Sequence, residues 1–280
     1  MVYPTIPALI PKFTRTVDER KTYERDGFVL RPRLLCPEVV ERLLRIGERV
    51  HAQWMQENAE EVRKRDLINS TGLSATRYFR PPFDSQRRIF FDALADGALW
   101  NLLTAVFGDD LYFHGTQMFF NPLHGGRRPY WHRDLQYVGY DETGQRALLG
   151  ELCNLHVRIP LRRERRFMLV SGSHARWDSD LERDVRLERS GHSCWEDLPS
   201  ATALDLDPGD TLIFSAHMLH RGTYDDNHGR LSLDLMLGKP HPGMPMTLEA
   251  EELPTAGELV ELRHPQWFAR ARKLLIEAPK

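Results

Sequence analysis

Along the chain the spacing of apolar residues changes character near residue 111, from helical before it to strand-like after it. In the first part, Thr16-Val17-Asp18-Glu19 reads as a helix start, with Thr16 as cap and Glu19 as its capping-box partner, and the helix should end near Gly27. Phe28-Val29-Leu30 is a short β-prone run. Pro37, at a first helical position, opens a long amphipathic helix in which Val40, Leu43, Leu44, Val50 and Trp54 recur at helical spacing; the Glu and Arg between them form a solvated face. Residues 64–85 lose the period and contain Pro81-Pro82, which predicts a loop. A second helical stretch, from about 86 to 107, is closed by Gly108.

Beyond that point the predicted strands are 111–121, 130–137, 152–161, 167–170, 203–206, 211–214 and 230–237. Turns such as Asp207-Pro208-Gly209-Asp210 separate them, and many short strands with such turns predict a sandwich or barrel. Double-sheet jelly rolls and cupins are the members of that class that enclose small-molecule sites. Residues 175–200 read as a polar insertion and 264–276 as a short terminal helix.

Composition excludes more than it identifies. A net charge of −2 gives no global electrostatic argument for nucleic acid or an anionic membrane as partner. Cys36, Cys153 and Cys194 are odd in number and contain no C-x-x-C pair, which argues against a disulfide framework or a thiolate zinc site and favours the cytoplasm. Residues 1–13 hold three prolines and no basic start, so they read as an arm rather than a signal peptide; no apolar run is long enough to span a bilayer.

The chemistry begins at Tyr130-Trp131-His132-Arg133-Asp134-Leu135-Gln136. On a strand, His132 and Asp134 project from one face while Trp131, Arg133 and Leu135 point away. An imidazole and a carboxylate are two of the three ligands of the 2-His-1-carboxylate arrangement that leaves positions open on non-haem Fe(II). Alone, the pair reads more simply as a strand histidine hydrogen-bonded to a nearby carboxylate. A downstream segment, 207–233, adds a turn, a buried strand, His217 and His220 and, ten residues after His220, Arg230. Arg230 and Ser232 share one strand face and Leu231, Leu233 and Leu235 the other, which turns the polar pair toward a cavity. A guanidinium fork beside a hydroxyl suits a carboxylate, and 2-oxoglutarate has one end to chelate iron and another for Arg230.

These motifs resemble the phytanoyl-CoA dioxygenase family of Fe(II)/2-oxoglutarate-dependent oxygenases. The resemblance rests on Trp131-His132-Arg133-Asp134, on Leu169-Val170-Ser171-Gly172-Ser173-His174, and on Pro208-Gly209-Asp210 with His220 and Arg230, in that order over about residues 111–238. It implies a double-stranded β-helix with helices packed outside the major sheet, His132, Asp134 and His220 as iron ligands, and Arg230 as anchor of the distal 2-oxoglutarate carboxylate. Gln117 is a further candidate contact to the co-substrate. His220 is preferred over His217 because its spacing to Arg230 follows the family. Two departures stand out. Ser171 replaces a proline in a turn, and Gly222 replaces a small hydroxyl residue two positions after the distal histidine, leaving Ser232 or Thr223 to supply that hydrogen bond.

The expectation is one oxygenase domain over 1–280, mostly helical to 110, with the β core at 111–238 and a C-terminal extension at 239–280. With Fe(II), 2-oxoglutarate and O2 it would hydroxylate, or otherwise oxidise, an unactivated C–H bond of a small molecule, preferentially a secondary metabolite. Retention of Asp134 argues against halogenation. The rivals are a non-catalytic cupin-like metal- or ligand-binding protein and a metal-dependent hydrolase or isomerase. Among the neighbours, His156 reads as a satisfied core or surface histidine, the basic run 162–166 as a solvated loop, and Gly125-Gly126-Arg127-Arg128 as a loop near the mouth. Tyr137 and Tyr140 either line the pocket or pack.

Overall fold

The computed structural model of the protein describes residues 18–225, 227–244 and 246–277. Thr16 and the arm 1–13 lie outside the described residues. The first helix, α1 (Glu19–Asp26), is capped by Asp18, whose side chain accepts from the Lys21 amide, and it stops at Gly27, where φ is +82°. There follow β1 (Phe28–Arg31), α2 (Pro37–Glu57), α3 (Ala59–Arg65) and β2 (Asn69–Thr71). The expected loop over 64–85 therefore carries a strand, and also a turn of 3-10 helix at Thr76–Phe79. The second helical stretch is two helices, α4 (Asp84–Leu94) and α5 (Gly97–Phe107), because Asp96 accepts from the Ala98 amide and starts a new helix.

The β part comprises β3 (Tyr112–Phe120), β4 (Asn154–Pro160), β5 (Glu164–Val170), β6 (Ala201–Leu206), β7 (Thr211–Ser215), β8 (His220–Arg221) and β9 (Leu231–Gly238). Short helices α6 (Glu142–Leu148) and α7 (Asp180–Arg186) interrupt it, α7 lying in the predicted insertion under a Ser179/Glu182 capping box. Helices α8 (Ala256–Glu261) and α9 (Gln266–Glu277) follow. Two antiparallel sheets result, ordered β1-β7-β4-β9-β3-β2 and β6-β5-β8, the two walls of a double-stranded β-helix.

Alternation along β4 and β9 divides the molecule into an apolar and a polar side. Leu155, Val157 and Ile159 of β4, with Leu231, Leu233, Leu235 and Leu237 of β9, join one cluster with Leu43 and Val50 of α2, Phe91 of α4, Leu103 of α5 and Phe268 of α9. Each leucine buried there contributes about 1.5–3 kcal/mol relative to exposure. The opposite faces carry His156, Arg158, Ser232 and Asp234, all buried between the sheets. A bulge in β3 between Phe113 and Gly115 lets Phe113 join the helical cluster while His114 reaches the interior pocket. No single helix among the described residues is long and apolar enough to cross a membrane, and the three cysteines are unpaired.

Candidate active site

The predicted strand 130–137 is only one residue wide as a pairing. His132 exchanges both backbone hydrogen bonds with His220, at 3.2 and 3.1 Å, and thereby borders β8. The Asp134 amide then turns to the Ala216 carbonyl, and Asp134–Tyr137 coils into a 3-10 helix. The alternation survives because Arg133 between them is extended, with φ −119° and ψ 139°.

His132 and Asp134 therefore face the same point, and His220 meets them from β8: one ligand atom from each lies within 4.8 Å of the others. Asp134 Oδ1 is 3.6 Å from His132 Nε2 and 3.7 Å from His220 Nε2. His132 Nδ1 is 3.2 Å from the Tyr130 carbonyl and His220 Nδ1 is 3.0 Å from the Met218 carbonyl. Those carbonyls accept from Nδ1–H, so both Nε2 lone pairs face the centre. Burial, reinforced at His220 by the neighbouring imidazole, keeps both rings below their ordinary pKa and hence neutral, as ligation requires. Two imidazole nitrogens and one carboxylate oxygen are the donor set an Fe(II) ion takes in facial array.

Buried polar contacts hold the ligands. Arg133 is fully buried and donates to Asp178 at 2.8 Å, to the Ser173 carbonyl at 2.6 Å and to the His217 carbonyl at 2.5 Å. Ser173 Oγ in turn accepts from the Leu219 amide at 2.8 Å, beside His220. The Ser171-to-His174 motif thus braces both ligand-bearing segments, while Ser171 itself only reaches Asp26 at the surface. Trp131 packs away from the site among Met168, Val170, Val185, Leu198 and Leu219.

Sequence reasoning missed the charged network behind the triad. Asp134 Oδ2 is 2.7 Å from His156 Nε2, whose Nδ1 is 2.8 Å from Asp234 Oδ2. A ring between two carboxylates donates from both nitrogens; burial opposes its charge, but these bonds outweigh burial and push His156 up to about 9. Burial alone would raise Asp134, yet the charged His156 ring hydrogen-bonded to it holds it well below the usual carboxylate range. Arg158 grips both Asp234 oxygens, at 2.8 and 2.9 Å. Glu164 is fully buried and accepts from Arg230 at 3.0 Å, Arg158 at 3.4 Å and Ser232 Oγ at 2.6 Å. The basic run is therefore solvated only in part: Arg162 and Arg163 pair outside with Glu48 and Asp207, while Glu164 faces in. His156 is the satisfied core histidine expected of it, placed against a candidate ligand.

A cavity of about 480 Å³ joins these groups, lined by the triad and by Gln117, Phe119, Arg158 and Arg230 among others. Arg230 donates to Glu164 and, at 2.9 Å, to the Phe120 carbonyl, and its Nε has no partner among the described residues. Ser232 is not brought to the cavity wall, since its hydroxyl serves Glu164. Thr223 donates to the Arg165 carbonyl instead. His217 lines the cavity but sits apart from the ligand set, its Nε2 3.2 Å from Asn154 Oδ1. Arg127, Tyr130 and Tyr137 line the mouth, the two phenols 2.8 Å apart, and Tyr140 bonds the Gly243 carbonyl.

A double-stranded β-helix with two imidazoles and a carboxylate converging beside buried arginines is the architecture of the non-haem iron, 2-oxo-acid-dependent oxygenases. The chain belongs to the phytanoyl-CoA dioxygenase (PhyH) family, whose model it matches over residues 23–225. It is 28% identical over 165 residues to an ectoine dioxygenase of Bordetella bronchiseptica, and equally to one of Bordetella parapertussis; each match covers 59% of this chain. The chain spans about half the length of these relatives, 51%. In fold it is similar to EctD from S. alaskensis with 2-oxoglutarate and 5-hydroxyectoine (TM-score 0.52, 14% identity, 79% of this chain and 75% of that one). It is similar as well to the non-heme alpha ketoglutarate dependent epimerase SnoN from nogalamycin biosynthesis (TM-score 0.51, 17% identity, 85% and 92% covered).

Proposed function

We propose that the protein is an Fe(II)/2-oxoglutarate-dependent dioxygenase that hydroxylates, or otherwise oxidises, an unactivated C–H bond of a small molecule, a secondary metabolite being the preferred class. The observation that carries this reading is the convergence of His132 Nε2, His220 Nε2 and Asp134 Oδ1 on one point of a cavity that Arg230 also lines. In this reading the three side chains hold iron and Arg230 holds the distal carboxylate of 2-oxoglutarate. Gln117, which lines the same cavity, would be a further contact to the co-substrate. Bound iron and 2-oxoglutarate would supply the activation of O2. The protein's residues fix the ligands on one side of the metal, keep Asp134 ionised, and enclose the reacting groups between Phe119, Phe167 and the mouth tyrosines.

The test is anaerobic titration of Fe(II) and 2-oxoglutarate, followed by O2-dependent succinate release across a panel of metabolites. His132→Ala should abolish iron binding, whereas Arg230→Ala should mainly weaken 2-oxoglutarate. Intact and equal affinities in both variants would defeat the assignment. Tight ligand binding without succinate release from any substrate would instead favour the non-catalytic cupin-like alternative.

A further inference from the structure

Glu164 is the odd residue of its run, an acid among Arg162, Arg163, Arg165 and Arg166, and it faces inward from a strand whose pairing with β6 shifts between Glu164 and Phe167. Its carboxylate reaches Arg230 Nη1 at 3.0 Å, and through Ser232 and Arg158 it is held with no exposure to solvent. The Arg230 guanidinium on the cavity wall thus has a counter-ion that belongs to the protein.

That changes what the guanidinium asks of a ligand. Where a buried arginine depends on the ligand for its only carboxylate, a ligand lacking that group leaves a charge unpaired, and discrimination is steep. Here the charge is already paired before the ligand arrives. A 2-oxo acid with a neutral distal end escapes the penalty, and one with a distal carboxylate meets a second anion across the same guanidinium.

We propose that Glu164 is a co-substrate-specificity residue, lowering this protein's preference for a dicarboxylic 2-oxo acid over a monocarboxylic one of equal chain length. The proposal rests on the reading that Arg230 receives the distal end of the co-substrate. Glu164 acts through Arg230, so it is a positioning residue.

The experiment is anaerobic calorimetric titration of the full, Fe(II)-loaded chain with 2-oxoglutarate and with 2-oxopentanoate, which differ only in the distal group. The quantity read is the ratio of the two dissociation constants. Glu164→Gln should raise the preference for 2-oxoglutarate about tenfold or more, a difference near 1.4 kcal/mol. Glu164→Asp, which keeps the charge but withdraws it by one methylene, should raise it by less and guards against a fold too weakened by the amide. A merely structural role would weaken both ligands together and leave the ratio alone. A ratio that is unchanged, or that falls, in a folded variant overturns the proposal. Arg230→Ala separates the two readings. If it leaves the wild-type preference intact, Arg230 is not the anchor; if it abolishes the preference while the Glu164 variants do nothing, only the part given to Glu164 is lost.

Discussion

Gly222 offers a direct test of where Arg230 must lie. An ideal Cβ built at residue 222 would stand 2.7 Å from Arg230 Nη1, about 0.7 Å inside the 3.4 Å at which ordinary contacts begin. The backbone at Gly222 is not in the left-handed region, so alanine there adds no strain of its own and the clash is the whole perturbation. Arg230 cannot absorb it in place, because Nη1 is tied to Glu164 at 3.0 Å and Nη2 to the Phe120 carbonyl at 2.9 Å. Overpacking of this kind costs about 1–3 kcal/mol. If the guanidinium swings to escape, the loss falls on the co-substrate, and the 2-oxoglutarate dissociation constant should rise roughly 5- to 150-fold. Iron affinity, measured against a competing chelator, should not move, since the triad does not touch Arg230. If the backbone yields instead, the loss appears as a melting temperature lower by about 2–4 °C per kcal/mol. Unchanged 2-oxoglutarate affinity at an unchanged melting temperature would refute both the crowding argument and the placement of the anchor. Serine would clash like alanine, so the family's hydroxyl cannot be restored by that one change.

Two further outcomes follow from the buried contacts. His156→Gln leaves a side chain that cannot bridge Asp134 and Asp234 and carries no charge; iron affinity should fall about tenfold or more by chelator competition, and an unchanged value would show that Asp134 needs no such support. Burial alone would raise the Glu182 carboxyl, but Arg176, the Ser179 amide and Ser200 together pull it down to about 2 from an ordinary 4.5. A depressed carboxyl stabilises the fold fully above its unfolded pKa and loses that contribution as pH falls, here from about 4.5 to about 2. Thermal melts should therefore show the wild type losing its advantage over Glu182→Gln across that window; a gap independent of pH would contradict the assignment.

What the sequence made legible was what depends on neighbours in the chain. The alternation in β9 sorts Leu231, Leu233 and Leu235 from Arg230 and Ser232 without knowledge of any partner, and a 3.6-residue period does the same for α2. The reading of 130–137 as a strand failed, because pairing with β8 lasts one residue before the Asp134 amide finds Ala216. It still placed His132 and Asp134 together, since alternation needs only extended backbone at Arg133, not a ladder. Similarly, the long helix over 86–107 broke at Asp96 because a side chain able to cap outcompeted an otherwise continuous apolar period.

The network that was not legible shares one property: each member is decided by a partner far along the chain. Glu164 meets Arg230 across 66 residues, and His156 meets Asp234 across 78. In the linear text Glu164 is one acid in a run of arginines, and solvated runs are the common case. A carboxylate is carried into a protein interior only when cations wait there, so its burial could be inferred only after β4 and β9 had been placed side by side. The register of those two strands sets Arg158 opposite Asp234 and His156 opposite Met236, which puts the ring within reach of Asp134 on one side and Asp234 on the other. The result is three carboxylates, Asp134, Asp234 and Glu164, interleaved with His156, Arg158 and Arg230. Such a row is close to neutral before any ligand enters. A divalent cation and a doubly charged 2-oxo acid together add no net charge to it, whereas either alone would leave the interior charged. That balance gives a physical reason for metal and co-substrate to bind as a pair.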